Sequence, residues 1–110
     1  MKAASLIGVW IGTVHNSNNW DMKITISILQ AFEVGSTLGI FDIPLIPCSG
    51  TFRVLSIQGE VIELRAEKLQ GECGAADSES LEVLEDGTLL YSSKGAGWET
   101  EGVLRRAVED

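Results

Sequence analysis

The segment Leu6-Ile7-Gly8-Val9-Trp10-Ile11-Gly12-Thr13-Val14 sets the expectation for the whole chain. It is an apolar, β-branched run with two glycines around a tryptophan, and it ends in the polar, turn-rich residues 15–19. β-Branched and aromatic residues favour a pleated strand, whereas clusters of Asn and Ser favour a turn. The segment therefore predicts a first β-strand, with which the last strand of a closed barrel would return to pair.

The remainder of the chain also alternates with the period of two that is typical of strands. The longest example covers residues 20–33, where one face carries Met22, Ile24, Ile26, Ile28, Gln30 and Phe32. Shorter alternating runs follow, separated by turn signals such as Asp86-Gly87. Consecutive hairpins without a crossover helix predict an all-β fold: one antiparallel, eight-stranded up-and-down barrel over residues 1–110. A two-sheet β-sandwich is the alternative.

Composition limits the classes of partner. The chain has 110 residues, of which 45% are hydrophobic, so it can bury one core. Its net charge of −8 resides entirely in residues 56–110. An acidic chain without a Lys/Arg cluster argues against nucleic-acid and anionic-membrane binding. We expect the acidic series to form a solvated outer face; it comprises Glu60, Glu63, Glu67, Glu72, Glu79, Glu82 and Glu85.

The N-terminus faintly resembles a signal peptide, because a lysine precedes apolar residues. No small-x-small cleavage site follows, and Gly8, Trp10 and Gly12 interrupt the run. No apolar stretch approaches the roughly 20 residues of a membrane-spanning helix. The chain is therefore expected to be cytoplasmic.

The two cysteines, Cys48 and Cys73, have no metal-binding spacing, and the chain has one histidine. We predict no metal, no cofactor and no catalytic residues. If the hairpin around Gln58-Gly59 pairs symmetrically, Cys48 faces Leu69 and both thiols lie at the same open end. A disulfide is one alternative, and two free, buried thiols are the other; a cytoplasmic setting favours the free thiols.

Gly8-Val9-Trp10 near the start, with an arginine in the last strand, resembles the calycin pattern of lipocalins, fatty-acid-binding proteins and avidins. The resemblance implies that Trp10 closes one barrel end and that Arg106 packs across its ring, with Arg105 as the competing choice. The chain is shorter than most lipocalins and has no evident C-terminal helix or lid. The polar groups that hold biotin in avidins cannot be matched in order, so biotin binding is not implied.

The predicted inward face is bulky, which favours a solid interior. Its members are Trp10, Val14, Met22, Ile24, Ile26, Ile28, Phe32, Leu38, Ile40, Phe52, Val54, Ile62, Leu64, Leu81, Val83, Leu89, Tyr91, Trp98 and Leu104. The alternative is a small apolar pocket at one barrel mouth. The polar members of the inward stripes, Gln30, Tyr91 and Thr100, would then line it beside Trp98.

Apolar residues also fall on the predicted outward face. Val9 and Ile11 on the first strand would adjoin Val103 on the last, and together they predict an interface with a protein partner or a second copy of the chain. Two functional hypotheses follow. The favoured one is a non-enzymatic module for protein–protein interaction or homo-oligomerisation, and the alternative is a lipocalin-like carrier of a small apolar ligand.

Overall fold

The computed structural model describes residues 6–30, 32–74 and 76–107, and these form a closed, eight-stranded antiparallel barrel. Residues 1–5, which carry most of the signal-like start, and residues 108–110 lie outside this range. The strands are β1 (Gly8–Asn16), β2 (Trp20–Ile28), β3 (Thr37–Ile43), β4 (Cys48–Gln58), β5 (Val61–Gly71), β6 (Ser78–Val83), β7 (Leu89–Gly95) and β8 (Trp98–Arg106). The predicted up-and-down barrel is confirmed, and the sandwich is excluded. No helix in the described part of the chain is long and apolar enough to cross a membrane.

The barrel closes where β1 meets β8, in the register Trp10↔Arg106 and Asn16↔Thr100. Gly12 permits this closure because the two backbones approach each other closely there. A β-carbon on Gly12 would lie 2.4 Å from the carbonyl oxygen of Val103. The first strand therefore pairs with the last, as its composition predicted.

The two ends of the barrel differ. The turns at residues 17–19, 44–47 and 96–97, and the described residues 72–74 and 76–77, gather at one end, which we call the mouth. At the other end, the closed end, the indole of Trp10 is buried and its Nε1 donates a hydrogen bond of 2.9 Å to the carbonyl oxygen of Leu6. The predicted core residues bury as expected with a few exceptions, since Val83 and Trp98 are only half-buried.

The prediction that Ile40 belongs to the core is wrong. Ile40 is 48% exposed, and Phe41 takes the inward position instead. The cause is a register shift between Thr37 and Gly39, because the extra residue reverses the facing of everything after it. The long strand predicted over residues 20–33 also ends early, at Ile28.

The pairing of β5 with β6 is short. It runs only from Val61↔Glu82 to Leu64↔Glu79, while β5 continues to Gly71 paired with β4. The two strands therefore diverge on the mouth side of Glu79. This divergence widens the barrel on one side.

A disulfide joins Cys48 and Cys73, so the disulfide alternative is confirmed and the favoured alternative of two free thiols is wrong. The β4–β5 turn lies at residues 59 and 60, one position later than predicted, and Cys48 pairs with Gly71 rather than Leu69. Cys73 is thus only two residues beyond the partner of Cys48. The bridge ties the start of the 72–77 loop to the end of the 44–47 turn, at the mouth.

Candidate functional site

A cavity of about 680 Å³ opens at the mouth. Such a volume is typical of small-molecule sites, which span roughly 300–1,000 Å³. Apolar and aromatic side chains line much of it: Trp20, Met22, Phe41, Ile43, Ile46 and Trp98. The polar lining includes Asn16, Glu79, Tyr91, Ser93 and Thr100. The expected solid interior is therefore wrong for the mouth half of the barrel.

The structure brings together three of the four residues predicted to line a pocket. Tyr91, Thr100 and Trp98 all border the cavity. Gln30 does not: it is exposed and donates to the carbonyl oxygen of Thr37 near the closed end. Its placement in the pocket is wrong because β2 ends at Ile28, so the alternation that put Gln30 inward stops before reaching it.

Glu79 is a functional candidate whose predicted position is wrong. It is 8% exposed and lies inside the barrel, whereas the acidic series was expected on the outer face. Leu81 and Val83 were correctly placed inward, and Glu79 has the same parity on β6. The signal was therefore present in the alternation, and the acidic neighbours in sequence obscured it.

A hydrogen-bonded chain holds the Glu79 carboxyl group in place. The Tyr91 hydroxyl donates to Glu79 Oε2 at 2.9 Å, and the Ser93 hydroxyl bonds to Tyr91 in turn. The backbone N–H of Ala66, on the part of β5 that has left β6, donates to the same carboxyl group. The Glu79 side chain thus accepts a backbone hydrogen bond from β5 just beyond the point where the pairing of β5 with β6 ends.

Burial changes the acid–base behaviour of this pair. Desolvation raises the pKa of Glu79, and the hydrogen bonds from Tyr91 and Ala66 oppose that rise only in part. Burial, reinforced by the nearby Glu79 charge, holds the pKa of Tyr91 well above its ordinary value. Tyr91 therefore remains a neutral hydroxyl, and Glu79 is the member of this pair that changes charge. A perturbed carboxyl group in a cavity is a common mark of a functional site.

A second polar pair lies across the cavity on β1 and β8. The Asn16 side-chain amide donates to Thr100 Oγ1 at 2.8 Å, and Asn16 Oδ1 accepts from the backbone N–H of Asn18. Both residues are buried. Asn16 thereby fixes the β1–β2 turn against β8 and keeps that side of the mouth open in a defined shape.

At the closed end, the Arg106 guanidinium lies 4.5 Å from the centroid of the Trp10 ring. It also donates a 2.9 Å hydrogen bond to the Ile7 carbonyl oxygen. Gly8 leaves room for it, since a β-carbon there would lie 2.8 Å from Arg106 Nη1. Arg106 therefore pairs with Trp10 and lies over its ring, whereas Arg105 pairs with Ile11.

On the outer face, Val9, Ile11 and Val103 are 37%, 46% and 40% exposed. Ile11 and Val103 lie diagonally across the β1–β8 pairing, with Arg105 beside them. The three aliphatic side chains therefore form a small exposed group on adjacent strands, separate from the cavity.

Stability should depend on pH through Glu79. Because its pKa is raised in the folded state, the folded protein keeps this proton over a pH range in which the unfolded chain has lost it. The free energy of unfolding contributed by Glu79 therefore falls as pH rises through that range, and the loss is complete above the folded-state pKa. Glu79→Gln removes this dependence. In urea unfolding, we expect the free energy of unfolding of the Glu79→Gln variant, relative to that of the parent protein, to increase from pH 4 to pH 8.

The matched control is Glu82→Gln, on the same strand but the opposite face. It should keep the pH profile of the parent protein. A Glu79→Gln profile parallel to that of the parent at every pH would contradict the buried placement of Glu79.

Among the described residues, no group of three or more His, Cys, Asp or Glu side chains is arranged to hold a metal ion.

Comparison with known proteins adds no relative to this description. No family model matches the chain, no curated protein sequence matches it, and no solved structure matches it.

Proposed function

We propose that the protein is a non-enzymatic binding protein that holds a small, mainly apolar ligand in the cavity at the barrel mouth. The cavity itself carries this proposal: about 680 Å³ lined by aromatic and aliphatic side chains around a few buried polar groups. The closed end is sealed by Trp10, so the mouth is the route by which a ligand would enter.

The calycin resemblance supports the same proposal. Calycins are antiparallel barrels closed at one end, and many carry a small ligand at the other. Here the barrel is closed and antiparallel, and Arg106 packs on Trp10 at the end opposite the cavity. We therefore propose a calycin-like carrier.

Dye binding tests this function. An environment-sensitive apolar dye should bind the native protein saturably, with one site per chain. Ser93→Phe fills the cavity from β7, where Ser93 is 4% exposed and lines the wall, and should weaken dye binding at least about tenfold. Ser92→Phe, on the opposite face of the same strand, is the control and should bind like the parent.

Circular dichroism and thermal unfolding should show that both variants fold. Absence of saturable binding to the native parent protein would overturn the carrier proposal. Equal weakening by Ser92→Phe would place the dye outside the cavity.

The second candidate function is self-association through the outer face of β1 and β8. The exposed group of Val9, Ile11 and Val103 favours it, because isolated aliphatic side chains are common on surfaces but adjoining ones mark interfaces. Sedimentation equilibrium should then detect a dimer that the double variant Ile11→Glu/Val103→Glu converts to monomer. Leu29→Glu, which changes an exposed leucine elsewhere, is the control. A strict monomer at high concentration would contradict this candidate.

A further inference from the structure

The Glu79 carboxyl group points to the chemical class of ligand. Buried carboxylates in proteins are normally neutralised by a cation, because taking an unpaired charge out of water is costly. The ion pairs seen among the described residues join His15 to Asp21, Arg53 to Glu67 and Lys94 to Glu99, and none includes Glu79. Its contacts, from Tyr91 and Ala66, are neutral donors. The carboxyl group thus borders a cavity with hydrogen bonds but without a counter-charge.

Most of the other charged side chains that line the cavity are also acidic. β5 contributes Arg65 to the cavity wall, and the 72–77 loop contributes Glu72 and Asp77. The neighbouring residues on β7 and β8, such as Ser93 and Thr100, are uncharged. With Glu79 ionised, the wall therefore holds three carboxylates and one guanidinium. The chain as a whole carries a net charge of −8, so its field attracts cations and repels anions.

Aromatic rings complete the arrangement. Trp20, Trp98, Phe41 and Tyr91 all line the cavity, and Trp20 is 46% exposed at its rim. The faces of aromatic rings attract cations, and more strongly where water is excluded. Rings near a buried carboxylate suit a molecule with a positive head and an apolar body.

We infer that the ligand is a small organic amine, bound with its ammonium group against the Glu79 carboxylate and its apolar body among the aromatic rings of the mouth. The inference rests on the proposed function and adds the sign of charge that the cavity selects. The ammonium group supplies the counter-charge that the described residues do not give Glu79. Tyr91 orients the carboxylate through its hydroxyl, and Ala66 does so through its backbone N–H.

Three probes of one shape test this inference in the unmodified protein. Phenethylamine, phenethyl alcohol and hydrocinnamate share a phenyl ring and a short chain but carry a positive, a neutral and a negative head. Calorimetric titration at pH 8 should show the amine binding about tenfold more tightly than the alcohol, because a charge-assisted contact replaces a neutral one. The carboxylate should bind most weakly.

The outcomes separate the two proposals. Equal binding of amine and alcohol, or tighter binding of the carboxylate, would overturn the inference and leave the carrier function standing. Binding of none of the three, together with absence of saturable dye binding, would overturn both. Dye binding without amine binding would overturn the inference alone.

Variants locate the selectivity. Glu79→Gln should reduce the preference for amine over alcohol to about equality while alcohol binding persists, because the charge-assisted contact is lost. Glu82→Gln should retain the full preference. A Glu79→Gln protein that still prefers the amine about tenfold would overturn the role of Glu79. The parent protein should also lose amine affinity as pH falls and Glu79 takes up a proton, which a purely structural role of this residue would not produce.

Discussion

Replacing Trp10 by alanine is expected to cost about 3–5 kcal/mol in the free energy of unfolding. The indole is 2% exposed and fills the closed end, its Nε1 donates to Leu6, and Arg106 lies across its face. Truncation removes this packing together with the guanidinium contact, and it leaves a void. Part of the loss, about 0.5–2 kcal/mol, comes from the cation–π contact alone.

Urea unfolding followed by far-ultraviolet circular dichroism measures this effect. Trp20→Ala is the matched control, since Trp20 is 46% exposed on the adjacent strand and should cost about 1 kcal/mol or less. If Trp10→Ala costs less than 1 kcal/mol, Trp10 does not close the barrel.

Reduction of the Cys48–Cys73 disulfide is expected to cost about 3 kcal/mol of stability. The bridge spans a sequence separation of 25 residues, and a crosslink of that length removes a corresponding entropy from the unfolded chain. The disulfide also ties the 72–77 loop to the 44–47 turn. Because residues of both segments line the cavity, reduction should weaken dye binding as well as stability.

Urea unfolding with and without reductant provides the measurement. The double variant Cys48→Ser/Cys73→Ser should resemble the reduced protein and should not respond to reductant. An unchanged unfolding midpoint on reduction of the parent protein, with thiol titration showing two free cysteines beforehand, would contradict the bridge.

The fold was largely predictable because alternation and turn chemistry are local properties. Period two over residues 20–28 and the Asp86-Gly87 turn each specify their element without reference to the rest of the chain. The pairing of the first strand with the last followed from barrel closure. Strand count, order and most of the core were therefore accessible from the sequence.

Register was less accessible, because an extra residue in a strand has little sequence signature. The shift between Thr37 and Gly39 reversed Ile40 and Phe41. The β4–β5 turn lies one position later than predicted, which moved the partner of Cys48 from Leu69 to Gly71 and brought Cys73 within reach. Each irregularity is small, but every later residue of the strand inherits its effect.

The cavity was the feature least accessible from the sequence. Its existence depends on how far β5 moves away from β6 beyond the Leu64↔Glu79 pair, which is a property of the whole barrel. Bulky inward residues suggested a filled interior, and they do fill the closed half. Glu79 could have been recognised, since Leu81 and Val83 fix the facing of β6, but its acidic neighbours in sequence made a solvated position look natural.

Nuclear magnetic resonance can test the central claim, that the mouth cavity binds a small molecule beside Glu79. Titration of ¹⁵N-labelled protein with phenethylamine should shift the backbone amides of Ala66, Glu79 and Tyr91 along a saturable curve. The amides of Gly8 and Trp10 at the closed end should stay in place. Saturable shifts confined to the outer face around Ile11 and Val103, or no saturable shift at any amide, would contradict the account.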